Sequence, residues 1–329
     1  MHMLPFNLCT GLVQRLVSAL SLAAMVFFSA CDSSRETTWT MINVCSDGHQ
    51  ADSHLLSFAD GTHAMIDVAD GLYAEGRTLD YLQKHRVKKL RLVVISHFHA
   101  DHYGSLRSLI AAGIQIERVA INLPGDRRLA DREQPWGCNW EDVQSLLALL
   151  RDKQIPYFTP KAGERLLEVK DGETLTTLDV VCLYDGINTP VGETDINDTS
   201  IIVRFTHGDT RVLFAGDLNL PLGTYLATSD FDLKADILKV PHHGTEGVAP
   251  NELFQRVSAR AALVTSPRDL WYSLRSKRVR DFFHEAGVPT YVSGVHGHVV
   301  VRFSEDGFRI ETEKPGLEIA KKAEGGEAE

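Results

Sequence analysis

Cysteine is scarce in the chain: five occur in 329 residues, and none has a Cys-x-x-Cys partner. That excludes a disulfide framework, and Cys45, Cys138 and Cys182 read as core or loop residues. Positive charge is also short. There are 34 Lys and Arg against 44 Asp and Glu, for a net charge of −10, so no global field draws the chain to nucleic acid. That counts against a tight DNA binder. It does not exclude an enzyme that meets a phosphodiester through a local basic patch and bound metals. No apolar run reaches the roughly 20 residues of a membrane span. No histidine stands between Tyr103 and Thr206. What remains is an ordinary globular composition, 43% hydrophobic and 24% charged, long enough for one large domain or two small ones.

The densest chemistry lies in Ser96-His97-Phe98-His99-Ala100-Asp101-His102-Tyr103-Gly104. The apolar, β-branched run Leu92-Val93-Val94-Ile95 before it reads as a buried strand. Leu106, Leu109, Ile110 and Ile114 after it recur at helical spacing. The cluster therefore sits where a strand feeds a helix. His97 and His99 alternate in the extended part and can point the same way, while Asp101 and His102 can face a second point nearby. Imidazole nitrogen and carboxylate oxygen are the ligands that zinc, manganese and iron share. The pattern suits two divalent ions a few ångströms apart, as in two-metal hydrolysis.

Two later strands end in similar residue types. Phe214-Ala215-Gly216-Asp217 presents one carboxylate at a strand end, with glycine allowing close backbone approach. Ala235 to Val240 runs into Pro241-His242-His243-Gly244, where adjacent histidines on an extended chain would point to opposite faces, so that one of them ligates. Around these, strands are expected at 39–44, 53–58, 63–68, 116–121, 165–169, 178–184, 200–206, 211–215, 261–265, 290–292, 299–303 and 308–311. Helices are expected near Leu79–Val87, from Glu141 through Leu150, and over 275–286. Residues 122–140, rich in Gly, Pro, Asp and Arg and without periodicity, read as a long loop at the rim of the site.

The His-x-His-x-Asp-His stretch resembles the metal-binding signature of the metallo-β-lactamase superfamily. Asn197-Asp198-Thr199-Ser200, Ala215-Gly216-Asp217 and Lys239-Val240-Pro241-His242-His243-Gly244-Thr245 more specifically resemble the hydrolase domain of ComEC-type competence proteins, over roughly residues 41 to 311. The resemblance implies an α/β fold, the four-layer αββα sandwich of the metallo-β-lactamase type. It implies metal ligation by His97, His99, Asp101, His102, Asp217 as the bridge, and His243, which aligns with the histidine of Pro-Gly-His-Gly. Asp101, Asp217 and His242 would then serve catalysis, with Asp67 bracing the metal loop from behind. Many relatives use a further histidine from mid-chain. None is present here, so Asp198 is expected to complete the first metal site, with Asn197 behind it, and an oxygen ligand there tilts the site from zinc toward manganese.

The function implied is a metal-dependent hydrolase, a phosphodiesterase or nuclease using a metal-bridged hydroxide. The alternatives are hydrolysis of another small ester, lactone, thioester or lactam, or a non-enzymatic metal-binding lipoprotein. Arg275, Lys277, Arg278 and Arg280 beside Trp271 and Tyr272 form the one strongly basic stretch with aromatics, able to steer a small phosphodiester or a nucleic acid. His296 and His298 replace a step at which the competence family contacts substrate. At the N-terminus, Arg15 and the apolar residues 16–28 precede Phe28-Ser29-Ala30-Cys31, which resembles a signal peptide ending in a lipobox. The expected organisation is a signal over 1–30, a tether over 31–38, the hydrolase domain over 39–312 and a disordered tail over 313–329. Lipidation of Cys31 would anchor the exported chain to the membrane, and Asp32 resembles the signal for the inner membrane of Gram-negative cells. No protein partner is inferable.

Overall fold

The computed structural model describes residues 36–70, 75–245 and 247–315. Among these, one sheet holds eight strands and another seven. In chain order the strands are β1 (Thr38–Met41), β2 (Ser53–Ser57), β3 (His63–Val68), β4 (Lys89–Leu90), β5 (Leu92–Ile95), β6 (Gln115–Ile116), β7 (Val119–Ile121), β8 (Tyr157–Phe158), β9 (Arg165–Asp171), β10 (Thr174–Cys182), β11 (Ile202–His207), β12 (Thr210–Phe214), β13 (Ile237–Lys239), β14 (Ala261–Val264), β15 (Thr290–Val292), β16 (Val299–Ser304) and β17 (Gly307–Thr312). The first sheet runs β17-β16-β1-β2-β3-β5-β7-β8 and the second β15-β14-β13-β12-β11-β10-β9, while β4 and β6 pair separately.

Side-chain alternation on these strands builds three apolar layers. On β3, Ala64 and Ile66 face the space between the sheets, whereas Met65 and Val68 face helices. On β12, Val212 and Phe214 face inward and Leu213 faces the opposite helices. The layer between the sheets packs Trp39, Leu56 and Phe58 against Phe205, Phe214 and Leu263. Outside the first sheet lie α1 (Arg77–Lys84), α2 (Ala100–Tyr103), α3 (Leu106–Ala111), α4 (Arg127–Arg132) and α5 (Trp140–Asp152), with Leu82, Leu106 and Leu146 in the core beneath. Outside the second lie α6 (Leu220–Thr228), α7 (Asn251–Val257), α8 (Arg268–Tyr272), α9 (Lys277–Glu285) and α10 (Ser293–His296), with Leu226, Leu253 and Phe283 beneath. This is a four-layer αββα sandwich.

The strands next to one another at the functional end are parallel: β3, β5 and β7 in one sheet, and β12, β13, β14 and β15 in the other. Their carboxyl ends open on one side, and loops there are where such sheets hold ligands.

Several boundaries differ from the sequence reading. Thr37 is buried and Thr38 opens β1, so the folded domain begins inside the expected tether. At the other end Glu313 and Lys314 donate backbone N–H to the carbonyls of His298 and His296, so these two residues of the expected tail are bound to the fold. Residues 116–121 split into β6 and β7, in different sheets, with Glu117 and Arg118 between them. The expected loop at 122–140 contains α4, which Asp126 starts by accepting the N–H of Leu129. The signal segment and Cys31 lie outside the described residues. Among the described residues, no helix is long and apolar enough to cross a membrane, and Cys45, Cys138 and Cys182 are free and buried.

Candidate metal centre

The metal loop is held from below by Asp67. This residue takes a left-handed φ of 54°, an uncommon conformation for a non-glycine residue that such sites retain where geometry demands it. Its Oδ1 accepts the Ser96 N–H at 2.7 Å, and its Oδ2 accepts from Ser96 Oγ at 2.8 Å and His102 Nδ1 at 2.8 Å. His102 therefore carries its proton on Nδ1 and turns Nε2 inward, 3.2 Å from Asp217 Oδ2. His97 Nε2 and His99 Nδ1 approach to 3.1 Å, so both rings aim at one point.

Asp217 arrives from the second sheet. Gly216 before it has φ 52°, and a side chain there would strike Ser200, whose Oγ accepts the Asp217 N–H at 3.0 Å. His243 donates from Nδ1 to the Thr265 carbonyl at 3.0 Å. Its Nε2 lies 3.1 Å from Asp217 Oδ2 and 3.3 Å from Asp101 Oδ2. His242 and His243 do not sit on extended backbone. They occupy a short 3₁₀ turn with φ 48° and 52°, which sends His243 into the cluster and His242 to the wall. His242 meets Asn219 Oδ1 through Nδ1 at 2.6 Å, and Asn219 Nδ2 donates to Asp195 Oδ2 at 2.7 Å.

Asp101, His102, Asp217 and His243 place one ligand atom each within 4.8 Å of one another. His102 Nε2, His243 Nε2 and Asp217 Oδ1 are buried and make no hydrogen bond. Buried polar atoms left this way are costly. Two imidazole nitrogens and two carboxylates are the donor set of a divalent ion, and the outer nitrogens are already fixed by Asp67 and Thr265, the arrangement that orients metal-ligating histidines. The residues fit a divalent metal.

Electrostatics agree with that donor set. Burial alone would lower the imidazole of His102, but Asp217, Asp67 and Asp101 hold it well above the ordinary histidine range. Burial likewise opposes protonation of His243, and Asp217 and Asp52 raise it well above that range. Burial would raise Asp217, and His102, His243 and Lys239 hold it well below the usual carboxylate range. His97 is pushed well down by burial and by the neighbouring His102 and His99.

Asp198 does not join this cluster. Its Oδ1 accepts the N–H of Asn219 at the start of α6, 2.9 Å away, and burial pushes its carboxyl up to about 7. Asn197 instead lines the cleft, with Oδ1 buried and unpartnered. The 3₁₀ turn over Ile196–Thr199 sends consecutive side chains in different directions, and Asp198 Oδ2, like Asn197 Oδ1, is buried without a hydrogen bond.

The basic stretch is dismantled by packing. Trp271 is core. Lys277 pairs with Asp281. Arg278 donates to Asn251 Oδ1 and to the carbonyls of Val248 and Ala249, and Arg280 binds the Trp271 carbonyl. Tyr272 lines a second cavity of about 1030 Å³ with Arg77 and Arg268. Arg275 alone of the group reaches the cleft over the metal cluster, which measures about 1160 Å³ and is lined also by His99, Asp101, Asn197, Asp217 and His242. His296 is tied to Val292 backbone, and His298 accepts the Asn43 N–H at 3.0 Å and packs on Tyr81. Neither lines the cleft.

Two groups had no role assigned from sequence. Asp52 and Lys239 form a fully buried ion pair beneath the cluster. Lys239 Nζ also donates to the Gly216 carbonyl at 3.1 Å and lies 3.5 Å from Asp217 Oδ1. Asp52 accepts from Thr265 Oγ1 as well. A lysine within the apolar run Ile237-Leu238-Lys239-Val240 of a central parallel strand was the available signal, because a buried ammonium requires an anionic partner.

No family model matches the sequence. The uncharacterized protein YcaI of Escherichia coli is 29% identical over 115 residues, covering 35% of this chain and 15% of that protein. ComE operon protein 3 of Bacillus subtilis is 20% identical over 225 residues, covering 68% of this chain and 26% of that protein. The matches thus span about a quarter or less of those relatives. Similar solved structures include the metallo-β-lactamase fold protein YhfI of Bacillus subtilis, at TM-score 0.46 and 12% identity over 78% of this chain and 96% of that one. Unliganded yeast PDE1 is another, at TM-score 0.48 and 12% identity over 82% of this chain and all of that one. The chain is a four-layer sandwich by its own topology and is similar in sequence to part of ComE operon protein 3.

Proposed function

We propose that the chain is a metal-dependent hydrolase that holds two divalent ions, zinc or manganese, and acts on a small phosphodiester. The observation that carries this reading is the convergence of donors from both sheets: His97 with His99 on one side, and Asp101, His102, Asp217 and His243 on the other. Bound there, the metals would activate water and stabilise charge on phosphoryl oxygens. The oxygen donors of Asp101, Asp217 and Asn197 favour manganese more than an all-histidine site would.

The chain's own residues supply position and a proton acceptor. The Asp195–Asn219–His242 series requires His242 to donate from Nδ1, since Asn219 spends its Nδ2 on Asp195. Its Nε2 is then the atom with a lone pair. Burial lowers the His242 imidazole, which keeps it neutral near pH 7 and able to accept a proton from an attacking or departing group.

The cleft wall favours a small substrate over nucleic acid. Asp70, Glu75, Glu133 and Asp195 line it in addition to the metal carboxylates, against Arg275. A long polyanion would set several phosphates along these carboxylates, whereas a single phosphodiester needs only the metal end. Membrane anchoring through Cys31 of an exported chain, at the periplasmic face of the inner membrane in a Gram-negative cell, is part of the same proposal and rests on the Phe28–Cys31 pattern.

The test is hydrolysis of bis(4-nitrophenyl) phosphate by chelator-stripped protein supplied with manganese or zinc. Restored turnover with either ion, and poor cleavage of a single-stranded oligonucleotide, is expected. Hydrolysis of a lactam or thioester but of no phosphodiester, with any metal, would overturn the substrate assignment.

A further inference from the structure

His99 has one ring nitrogen aimed at the metal point and one aimed away from it. Nδ1 faces His97 Nε2 at 3.1 Å. Nε2 is buried and makes no hydrogen bond, yet it lies 3.7 Å from Glu133 Oε2, an ion-pair contact a little beyond hydrogen-bond range. Glu133 is itself 8% exposed. It comes from the segment after α4, and the chain is built to bring it there. Gly137, at φ 83°, lies so close to the metal loop that a Cβ would sit 2.7 Å from Ala100 Cβ. Cys138 N donates to the Glu133 carbonyl at 3.4 Å and closes the turn. Arg132 holds the other carboxylate oxygen, its Nε 3.6 Å from Glu133 Oε1, while its remaining nitrogens go to Glu193 at 2.9 Å and the Thr194 carbonyl at 3.0 Å, which leaves Oε2 for His99.

We propose that Glu133 is the positioning residue for His99: its Oε2 takes the Nε2 proton, which fixes the tautomer whose Nδ1 lone pair faces the same point as His97 Nε2. A buried imidazole with no acceptor at Nε2 would distribute its proton between the two nitrogens, and the Nδ1–H form cannot ligate. Contacts of this length tighten when a site is loaded. His102 and His243 are oriented in the same way, by Asp67 and by Thr265. Glu133 completes the set from the helical layer outside the first sheet. The inference rests on the metal reading above, but its tautomer does not depend on a bound ion.

The experiment compares Glu133→Ala and Glu133→Gln in the full chain by two readouts. The first is the ring-nitrogen spectrum of 15N-histidine-labelled, chelator-treated protein, with His99 assigned by difference against His99→Gln. Wild type and Glu133→Gln, whose amide oxygen still accepts, should show His99 with Nε2–H, and Glu133→Ala should shift it toward Nδ1–H. The second is Zn²⁺ affinity by competition with a chromophoric chelator. One Zn²⁺ equivalent should bind about 10–100-fold more weakly in Glu133→Ala and within a few-fold of wild type in Glu133→Gln. An unchanged His99 tautomer in Glu133→Ala overturns the proposal. So does equal loss of affinity in both variants, which would make Glu133 a ligand or a charge. If wild type binds no Zn²⁺, the metal reading fails and the tautomer shift alone decides the role of Glu133.

Discussion

Replacing Lys239 with methionine tests the ion pair beneath the site. Methionine keeps most of the stem and its volume and removes only the ammonium. Asp52 is then left buried with Thr265 Oγ1 as donor and with His54, His102 and His243 at 3.8, 3.7 and 3.5 Å. Breaking a buried pair by removing one partner costs about 3–5 kcal/mol, because an uncompensated charge stays behind. With a urea slope of ~3 kcal/mol/M, that moves the unfolding midpoint down by roughly 1–2 M. Asp52→Asn should cost somewhat less, since the ammonium keeps Gly216 O and the more distant Asp217. The double variant Lys239→Met/Asp52→Asn removes both charges and should cost about 1–3 kcal/mol less than the sum of the singles. The sign with pH follows from the shifts. Burial opposes the charge on both, but Lys239 pulls Asp52 well below the ordinary aspartate range, and Asp52 raises Lys239. The pair's contribution is therefore present between the ordinary aspartate and lysine values, lost as pH falls through the lowered Asp52 value and lost as pH rises through the raised Lys239 value. The penalty of Lys239→Met should grow as His102 and His243 lose their charge with rising pH, because they are the cations left beside Asp52. The assay is urea unfolding with chelator present. A Lys239→Met protein within about 1 kcal/mol of wild type, or strictly additive singles, refutes the reasoning.

Two further outcomes follow from the same geometry and a third from the proposed lipid anchor. Asp198→Ala removes an acceptor at the start of α6, so it should cost about 0.5–2 kcal/mol of stability and leave manganese affinity unchanged, while Asn197→Ala should weaken manganese binding at little cost in stability; manganese titration of both variants with matched urea curves checks this. Zn²⁺ binding near pH 7 should release protons, because His102 and His243 are held above the ordinary histidine range and must lose the Nε2 proton to ligate. Calorimetry in buffers of different ionisation enthalpy measures that release, and a heat independent of buffer would contradict it. Cys31→Ser should move the protein from the detergent-extracted membrane fraction to the soluble one, and unchanged membrane association would point to an uncleaved anchor instead.

The strands were legible because they depend on short-range patterning, whereas their stacking into layers was implied by the resemblance of the metal-ligand motifs. Leu92-Val93-Val94-Ile95, Asp67 at a strand end and Gly216-Asp217 all lie where period and residue type placed them. Local turn geometry was not legible. His242 and His243 were read on extended backbone and stand on left-handed residues instead, and the turn at Ile196–Thr199 puts Asn197 on the cleft wall and turns Asp198 toward the Asn219 N–H. Partners far apart in sequence were also hidden. The basic run near Trp271 looked like a surface patch, but Arg278 and Arg280 spend their donors on backbone carbonyls of neighbouring segments. Asp52 and Lys239 are 187 positions apart by number (239 − 52), and only the topology that sets β13 over the β1–β2 connection brings them together.

Metal stoichiometry of the purified chain and of Asp217→Asn tests the central claim most directly. Asp217 Oδ2 lies within 3.2 Å of both His102 Nε2 and His243 Nε2, and the amide removes its charge while keeping its shape. The account predicts about two equivalents of zinc or manganese per wild-type chain, with metal content and phosphodiester turnover lost together in Asp217→Asn. A wild-type chain that takes up no divalent metal, or an Asp217→Asn protein with full metal content, would contradict it.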